Sequence, residues 1–323
     1  MKEYSIAILG ATGLVGSTFL KVLEEYNIPI KDLRLFASEK SKGKVISFRG
    51  NDLKVDTVKP GAFKGIDYAL FSAGGSVSLV VAKQAVAEGA IVIDNSSAFR
   101  MDKNVPLVVP EVNLQDAINQ PLIANPNCST IQAVLPLHAL NKKYNIVQVE
   151  YNTYQAVSGS GYKGIKALEE ETDFYPYNIK ETCIPHIDVF LEDGYTKEEH
   201  KMMEETRKIL HKNDLLVSAT CVRVPVKYSH AVSIRVKLEN FTSLKDIRET
   251  LKEQPGIVLV DDVLNNKYPT AIEATNTDSV YVGRIRRDTI DKNTVLLYCV
   301  ADNVRKGAAS NAIQIMKGLM DNA

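Results

Sequence analysis

The stretch AILGATGLVGSTFL (7–20) limits the fold of this chain more than any other: an apolar run, glycines at 10, 13 and 16, then a helical pattern. A strand, a glycine turn and a helix in that order open a β-α-β unit. A tight turn without any ligand also needs glycine. The spacing G-x-x-G-x-x-G at a helix start further suits a pyrophosphate, which asks for backbone without Cβ atoms, free N–H groups and the positive end of a helix. Gly10, Gly13 and Gly16 are therefore read as a dinucleotide cradle. An acidic residue about 20 positions on would mark a free ribose 2′-hydroxyl. The second apolar run, LRLFAS (33–38), instead ends on Ala37 and Ser38, with Glu39 one step late, then Lys40, Ser41, Lys42 and Lys44. Hydroxyls and cations suit a 2′-phosphate and point to NADP, with Ser38, Lys40 and Ser41 in contact. A solvated basic loop explains Lys42 and Lys44 equally.

The runs YSIAIL (4–9), LRLFAS, IDYALFSA (66–73), AIVIDN (90–95) and PLVVP (106–110) read as strands covered on both faces. Helical patterns at 16–26 and 76–89 separate several of them, so the first third predicts a Rossmann-type, doubly wound parallel sheet. Beyond Cys128 the texture changes. Segments 146–155, 216–226 and 231–240 alternate apolar and polar, as in a mixed or antiparallel sheet with unlike faces. Helical stretches at 163–171 and 196–210 interrupt them. The expected fold class is α/β with an added α+β domain: 1–127 for the nucleotide, 128–302 for catalysis and dimerisation, and 303–323 as a closing helix returning to the first domain. At 323 residues the chain exceeds one ordinary core. Equal numbers of basic and acidic residues speak against a nucleic-acid partner. No run reaches the roughly 18 apolar residues of a membrane span. The N-terminus enters a strand directly, without a signal-peptide pattern. Four unpaired cysteines (128, 183, 221, 299) fit neither a disulfide framework nor a metal site, and suggest a reducing cytoplasm.

Among those cysteines, Cys128 stands out. It follows Asn-Pro-Asn and precedes a stretch with apolar positions 131, 134, 135 and 139, so it sits at or just before a helix cap. Pro136 kinks that helix or limits its start. A helix N-terminus favours the thiolate, although most cysteines are small buried hydrophobes. Cys221 and Cys299 lie within strand patterns, and Cys183 has no evident activator. Of five histidines, His138 falls on an apolar helix face, His200 and His211 on a charged helix, and His186 in a Pro-containing loop. His230 opens a strand and shares parity with Val232, Ile234, Val236 and Leu238. Both a buried core histidine and a strand end facing a cleft fit that position.

GATGLVG, DNSSAFR, NPNCSTIQ, YQAVSGSGYKG, RVPV with a histidine seven residues past its Arg, and DNVRKGAASNAIQ occur here in order. Together they resemble the bacterial aspartate-semialdehyde dehydrogenases, from residue 4 to about residue 318. The resemblance implies NADPH-dependent conversion of aspartyl phosphate to aspartate semialdehyde and phosphate, in the pathway to lysine, diaminopimelate, threonine and methionine. It implies Cys128 as the nucleophile that becomes a thioester, His230 as general acid/base, and Gln155 as the residue orienting the intermediate. Arg223 matches the carboxylate-binding arginine, Glu198 the ammonium-binding residue, and Lys201 and Arg100 the phosphate cations. Thr12, Leu14, Val15, Ser72, Ala73, Gly74, Ser158, Gly159 and Asn303 match cofactor positions. The family is a homodimer or homotetramer. Many members have glycine before the histidine, where this chain has Ser229. A reductase of another acyl donor, such as N-acetylglutamyl phosphate or an acyl-CoA, is the alternative enzyme. A silent nucleotide-binding paralogue would be expected to lack Cys128 or His230.

Overall fold

The computed structural model describes residues 2–322, which form two compact units: one from the chain up to Pro126 together with the segment from Ala308, the other Asn127–Gly307. The first unit opens with β1 (Tyr4–Leu9), α1 (Leu14–Glu25) and β2 (Ile30–Phe36). A short hairpin, β3 (Val45–Phe48) and β4 (Asn51–Lys54), then leads to β5 (Tyr68–Phe71), α2 (Gly75–Ala87), β6 (Ile91–Asp94), α3 (Pro110–Asn113) and β7 (Leu122–Ala124). The main sheet runs β2-β1-β5-β6-β7, all parallel. Its strand order reverses between β1 and β5, and the carboxyl ends of strands at such a reversal form the crevice where ligands bind in open α/β sheets.

PLVVP (106–110), expected as a strand, is not one. Only Leu107 bridges the sheet, to Ala124, and Pro110 opens α3 instead. Prolines at both ends remove the N–H groups a ladder needs. The fifth strand is Leu122–Ala124, three residues directly ahead of Asn-Pro-Asn.

The second unit begins with α4 (Cys128–Tyr144), followed by β8 (Ile146–Gln155), α5 (Gly161–Glu170), α6 (Lys197–Ile209), β9 (Leu216–Arg223) and β10 (His230–Leu238). It continues with α7 (Leu244–Glu253), β11 (Ile257–Leu259), α8 (Ala271–Ala274), β12 (Val280–Arg287) and β13 (Thr294–Ala301). The sheet order is β11-β12-β13-β10-β8-β9, mixed in direction, with β8/β9 and β11/β12 parallel. β10 alternates strictly between buried and half-buried positions, which gives the sheet its unlike faces. The expected strand 216–226 stops at Arg223, ahead of Pro225. The closing helix starts later than residue 303: a π turn occupies Arg305–Ala309 and α9 runs Ser310–Asp321. Ala312, Ile313, Ile315, Met316 and Leu319 of α9 pack into one core with Ile6, Ile8, Phe19, Leu70 and Ile123.

Candidate functional site

In the first unit, the β1–α1 turn lies against the end of β5. Gly10 takes φ +88°, and a Cβ there would stand 2.4 Å from the Ser72 carbonyl oxygen. A Cβ on Gly16 would stand 2.1 Å from the Gly10 carbonyl oxygen. These two glycines let the turn, helix and neighbouring strand close on one another. Gly13 differs: a Cβ there meets only the Gly10 oxygen, at 3.3 Å. It caps α1 without a side-chain hydrogen bond, and the first turn holds no acidic residue. A helix start without a side-chain cap and its positive end fit a phosphate. Thr12 donates to the Ser41 hydroxyl at 3.2 Å, which brings the turn to the segment after β2. Ser38 and Lys40 are exposed beside it, while Glu39 turns to Lys42 at 3.6 Å. Ser72, Ala73 and Gly74 (φ +86°) lead into α2, which also lacks a side-chain cap. Leu14 and Val15 form the first turn of α1. Arg100 is buried, with Nε donating to the Asn125 carbonyl and Nη2 to that of Asn95, both at 2.9 Å.

The second unit gathers the remaining candidates. Cys128, half-buried, is the first residue of α4, and Asn127 is the cap. Asn127 Oδ1 accepts from Ser129 N at 2.9 Å and Thr130 N at 3.3 Å. Those two N–H groups are therefore satisfied by the cap side chain. Asn127 is itself held twice: its amide nitrogen donates to Glu198 Oε1 at 2.8 Å, and its backbone N–H to Glu205 Oε2 at 2.6 Å. Gly307, in the π turn, lies on the cysteine; a Cβ there would stand 2.9 Å from Cys128 Cβ. The Asp302 carboxylate accepts from the N–H groups of Val304 and Arg305, and Arg305 pairs with Asp278 through two 2.9 Å bonds. Together these contacts pin the π turn.

Glu198 and Lys201, three apart on α6, are ion-paired at 3.1 Å, but not on an exposed helix face: Glu198 is 4 % exposed. Gln155 Nε2 also donates to Glu198 Oε1 at 3.1 Å. Burial pushes the Glu198 carboxyl up, yet the Lys201 ammonium and three hydrogen-bond donors outweigh it and hold the group ionised, below the usual range. Burial likewise works against the Lys201 ammonium, and Glu198 and Asp188 more than restore it, raising its pKa.

Gln155 and Arg223 pair in register at the ends of β8 and β9, and His230 starts β10 alongside. Arg223 is 5 % exposed. Its Nη1 donates to the Ala156 carbonyl at 2.7 Å, its Nε has no partner, and among the described residues it forms no ion pair. His230 is fully buried. The Ala156 N–H donates to its Nδ1 at 2.9 Å, and Nε2 has no partner. An amide donor on Nδ1 leaves the ring proton on Nε2. Burial, then the Arg223 cation, push its pKa well below the usual value, so the ring is neutral at neutral pH. Gly159 closes this corner: a Cβ there would stand 2.8 Å from Arg223 Nη1 and 3.2 Å from His230 Nε2. Ser158 and Asn303 bond each other at 2.9–3.0 Å, and Asn303 Oδ1 also accepts from Ser229 N, fixing the start of β10.

The other histidines lie elsewhere: His138 half-buried on α4, His186 stacked on Phe190, His200 paired with Asp193, and His211 exposed. Sequence reasoning missed Asn127, Glu205 and Gly307. Asparagine directly before a helix is a cap signal, and Glu205 repeats the Glu198 face two turns on. For Gly307 no local pattern pointed to the cysteine. Among the described residues, no group of acidic, His or Cys side chains could hold a metal, and no helix is long and apolar enough to cross a membrane.

Comparison with known proteins gives the class first. Family models for the semialdehyde dehydrogenase NAD-binding domain and the semialdehyde dehydrogenase dimerisation domain match residues 5–120 and 137–306. An aspartate-semialdehyde dehydrogenase of Aquifex aeolicus is 51% identical, covering 98% of each chain. Aspartate semialdehyde dehydrogenase II of Vibrio cholerae, solved with ASA, superposes with a TM-score of 0.96 at 41% identity, covering 100% of this chain and 99% of that one. The Candida albicans aspartate semialdehyde dehydrogenase, solved with NADP, gives a TM-score of 0.81 at 25% identity over 99% of each. This chain belongs to the aspartate-semialdehyde dehydrogenase family.

Proposed function

We propose that the chain reduces L-4-aspartyl phosphate to L-aspartate 4-semialdehyde, with release of phosphate and with NADPH as reductant, through a thioester on Cys128. The observation that carries this reading is Arg223, a buried guanidinium without a carboxylate partner and with Nε unpaired. A planar cation left open in this way, beside Gln155 and His230, suits a substrate carboxylate in bidentate contact.

The Cys128 thiolate attacks the acyl carbon, a C–S bond forms, and the C–O bond to phosphate breaks, with the electron pair leaving on phosphate. Charge builds on the carbonyl oxygen during attack. His230, carrying its proton on the unpartnered Nε2, serves there as a donor, so its acid/base role narrows to donation. A reduced nicotinamide, when held by the cofactor residues named below, would supply a hydride to the thioester carbon. As the aldehyde forms, the C–S bond breaks and Cys128 is released as thiolate, ready for another turn. Gln155, tied to Glu198, orients the acyl group. Glu198, ionised, receives the substrate ammonium. The family resemblance gives Arg100 and Lys201 as the phosphate cations; the Lys201 ammonium is shared with Glu198 and Asp188.

For the cofactor, the turn Gly10–Gly16 and Ser72–Gly74 fit a dinucleotide. NADP over NAD is supported by Ser38, Lys40 and Ser41 after β2 and by Glu39 turning to Lys42. Ser158, Gly159 and Asn303 are proposed on the nicotinamide side. We further propose a homodimer or homotetramer and a cytoplasmic setting. The test is phosphate-dependent reduction of NADP with aspartate semialdehyde, compared with NAD and with N-acetylglutamate semialdehyde. Turnover confined to the N-acetyl compound would overturn the substrate. A clear NAD preference would overturn the cofactor.

A further inference from the structure

Cys128 opens α4, and Gln132 lies one turn further along the same helix face. Gln132 is completely buried. Its amide nitrogen donates to the main-chain carbonyl of His230 at 3.0 Å and to that of Cys299 at 3.4 Å, while its side-chain oxygen has no partner. A buried acceptor left unsatisfied is costly, and an apolar side chain of similar size would avoid that cost. The amide's gain lies in what it holds. His230 is the first residue of β10, directly after Ser229, which has φ +70°, a left-handed conformation that costs a non-glycine residue free energy. This strand start is fastened by Asn303 on Ser229 N, by Ala156 N on the imidazole, and by Gln132 on the His230 carbonyl. Of these three, Gln132 alone belongs to the helix that carries the cysteine.

We propose that Gln132 is a positioning residue that ties the nucleophile's helix to the main chain of His230, so that sulfur and imidazole hold one geometry through the thioester steps. The inference rests on the reading of Cys128 and His230 above. Gln132→Met keeps the length and burial of the side chain and removes the donor. The expected result is a kcat reduced at least about tenfold, with KM for aspartate semialdehyde and for NADP each within about twofold, because no binding group is touched.

Gln132→Glu supplies a readout that mere packing would not move. A buried carboxyl has a raised pKa. Protonated, it donates to the His230 carbonyl as the amide does; ionised, it sets oxygen against oxygen. Cys299, the thiol beside it, is pushed up to about 12 by burial and His230 is neutral, so neither takes up a proton over this range, and Cys128, one turn away, is common to both proteins and is divided out in the ratio. The ratio of Gln132→Glu to wild-type turnover is expected to rise at least about fivefold from about pH 8.5 to about pH 6. Should Gln132→Met fail to fold, this ratio decides. An unchanged kcat in a folded Gln132→Met, or a flat ratio, overturns the inference alone. Absence of turnover in the wild type overturns the proposed function and the inference with it.

Discussion

Replacing Arg223 with methionine separates binding from folding. Among the described residues the guanidinium makes one hydrogen bond, Nη1 to the Ala156 carbonyl at 2.7 Å. A charge-assisted bond of this kind contributes about 1.5–3 kcal/mol. Against it stands the unpaired buried Nε, which costs about 1–3 kcal/mol. The Ala156 carbonyl is not orphaned by the change, since Gly159 N also donates to it at 3.1 Å. Methionine, unbranched and similar in length to the arginine stem, fills the space. The two effects offset, and stability in urea is expected within about 1 kcal/mol of wild type. Substrate loses two charge-assisted bonds to its carboxylate, about 3–6 kcal/mol, or about two to four and a half decades in kcat/KM. Initial rates of NADPH formation at varied aspartate semialdehyde measure that fall, with KM for NADP as the control. The reasoning is refuted if Arg223→Met loses more than about 2 kcal/mol of stability while kcat/KM stays within about tenfold. The arginine would then be a structural tie.

Other expectations follow from single contacts. Gly307→Ala places a Cβ 2.9 Å from Cys128 Cβ, so kcat is expected to fall by about tenfold or more, with alkylation of Cys128 by iodoacetamide altered in parallel; an unchanged alkylation rate would show that the π turn yields instead. Asn127→Ala removes the α4 cap and a donor to Glu198, expected to cost about 1–2 kcal/mol in urea unfolding. His230 is held neutral by burial and by Arg223, so the unfolded chain binds a proton near pH 6.5 that the folded chain refuses. Its contribution is therefore lost as pH falls below about 6.5, at up to about 1.4 kcal/mol per unit. A His230→Gln variant should show that much less acid destabilisation, and parallel wild-type and variant curves would contradict the assignment.

The first unit was legible because glycine spacing and short apolar runs report backbone demands that few residues satisfy. Gly10 and Gly16 each face a backbone oxygen closer than any Cβ allows. The fifth strand was not legible: Leu122–Ala124 is three residues long, too short for a period, while the apolar PLVVP mimics a strand between its prolines. In the second unit, Cys128 at a helix start could be read from its neighbours. Burial could not. Glu198 and Lys201 sit in a sequence dense with charge, and only packing of α6 shows that this face is inside. The His230 proton position depends on the N–H of Ala156, 74 positions away in the chain, and no local pattern carries that information.

The return of α9 to the first core has a bearing on how the protein is made. Residues 2–126 leave the ribosome without Ile313, Ile315 and Met316, which stand among Ile6, Phe19 and Leu70 in the finished core. Translation therefore delivers the middle of the chain, 127–307, as an uninterrupted piece while the earlier piece still waits for its last helix. A nascent chain stalled or cut near residue 307 would own every glycine of its cradle and still have a hole in its floor.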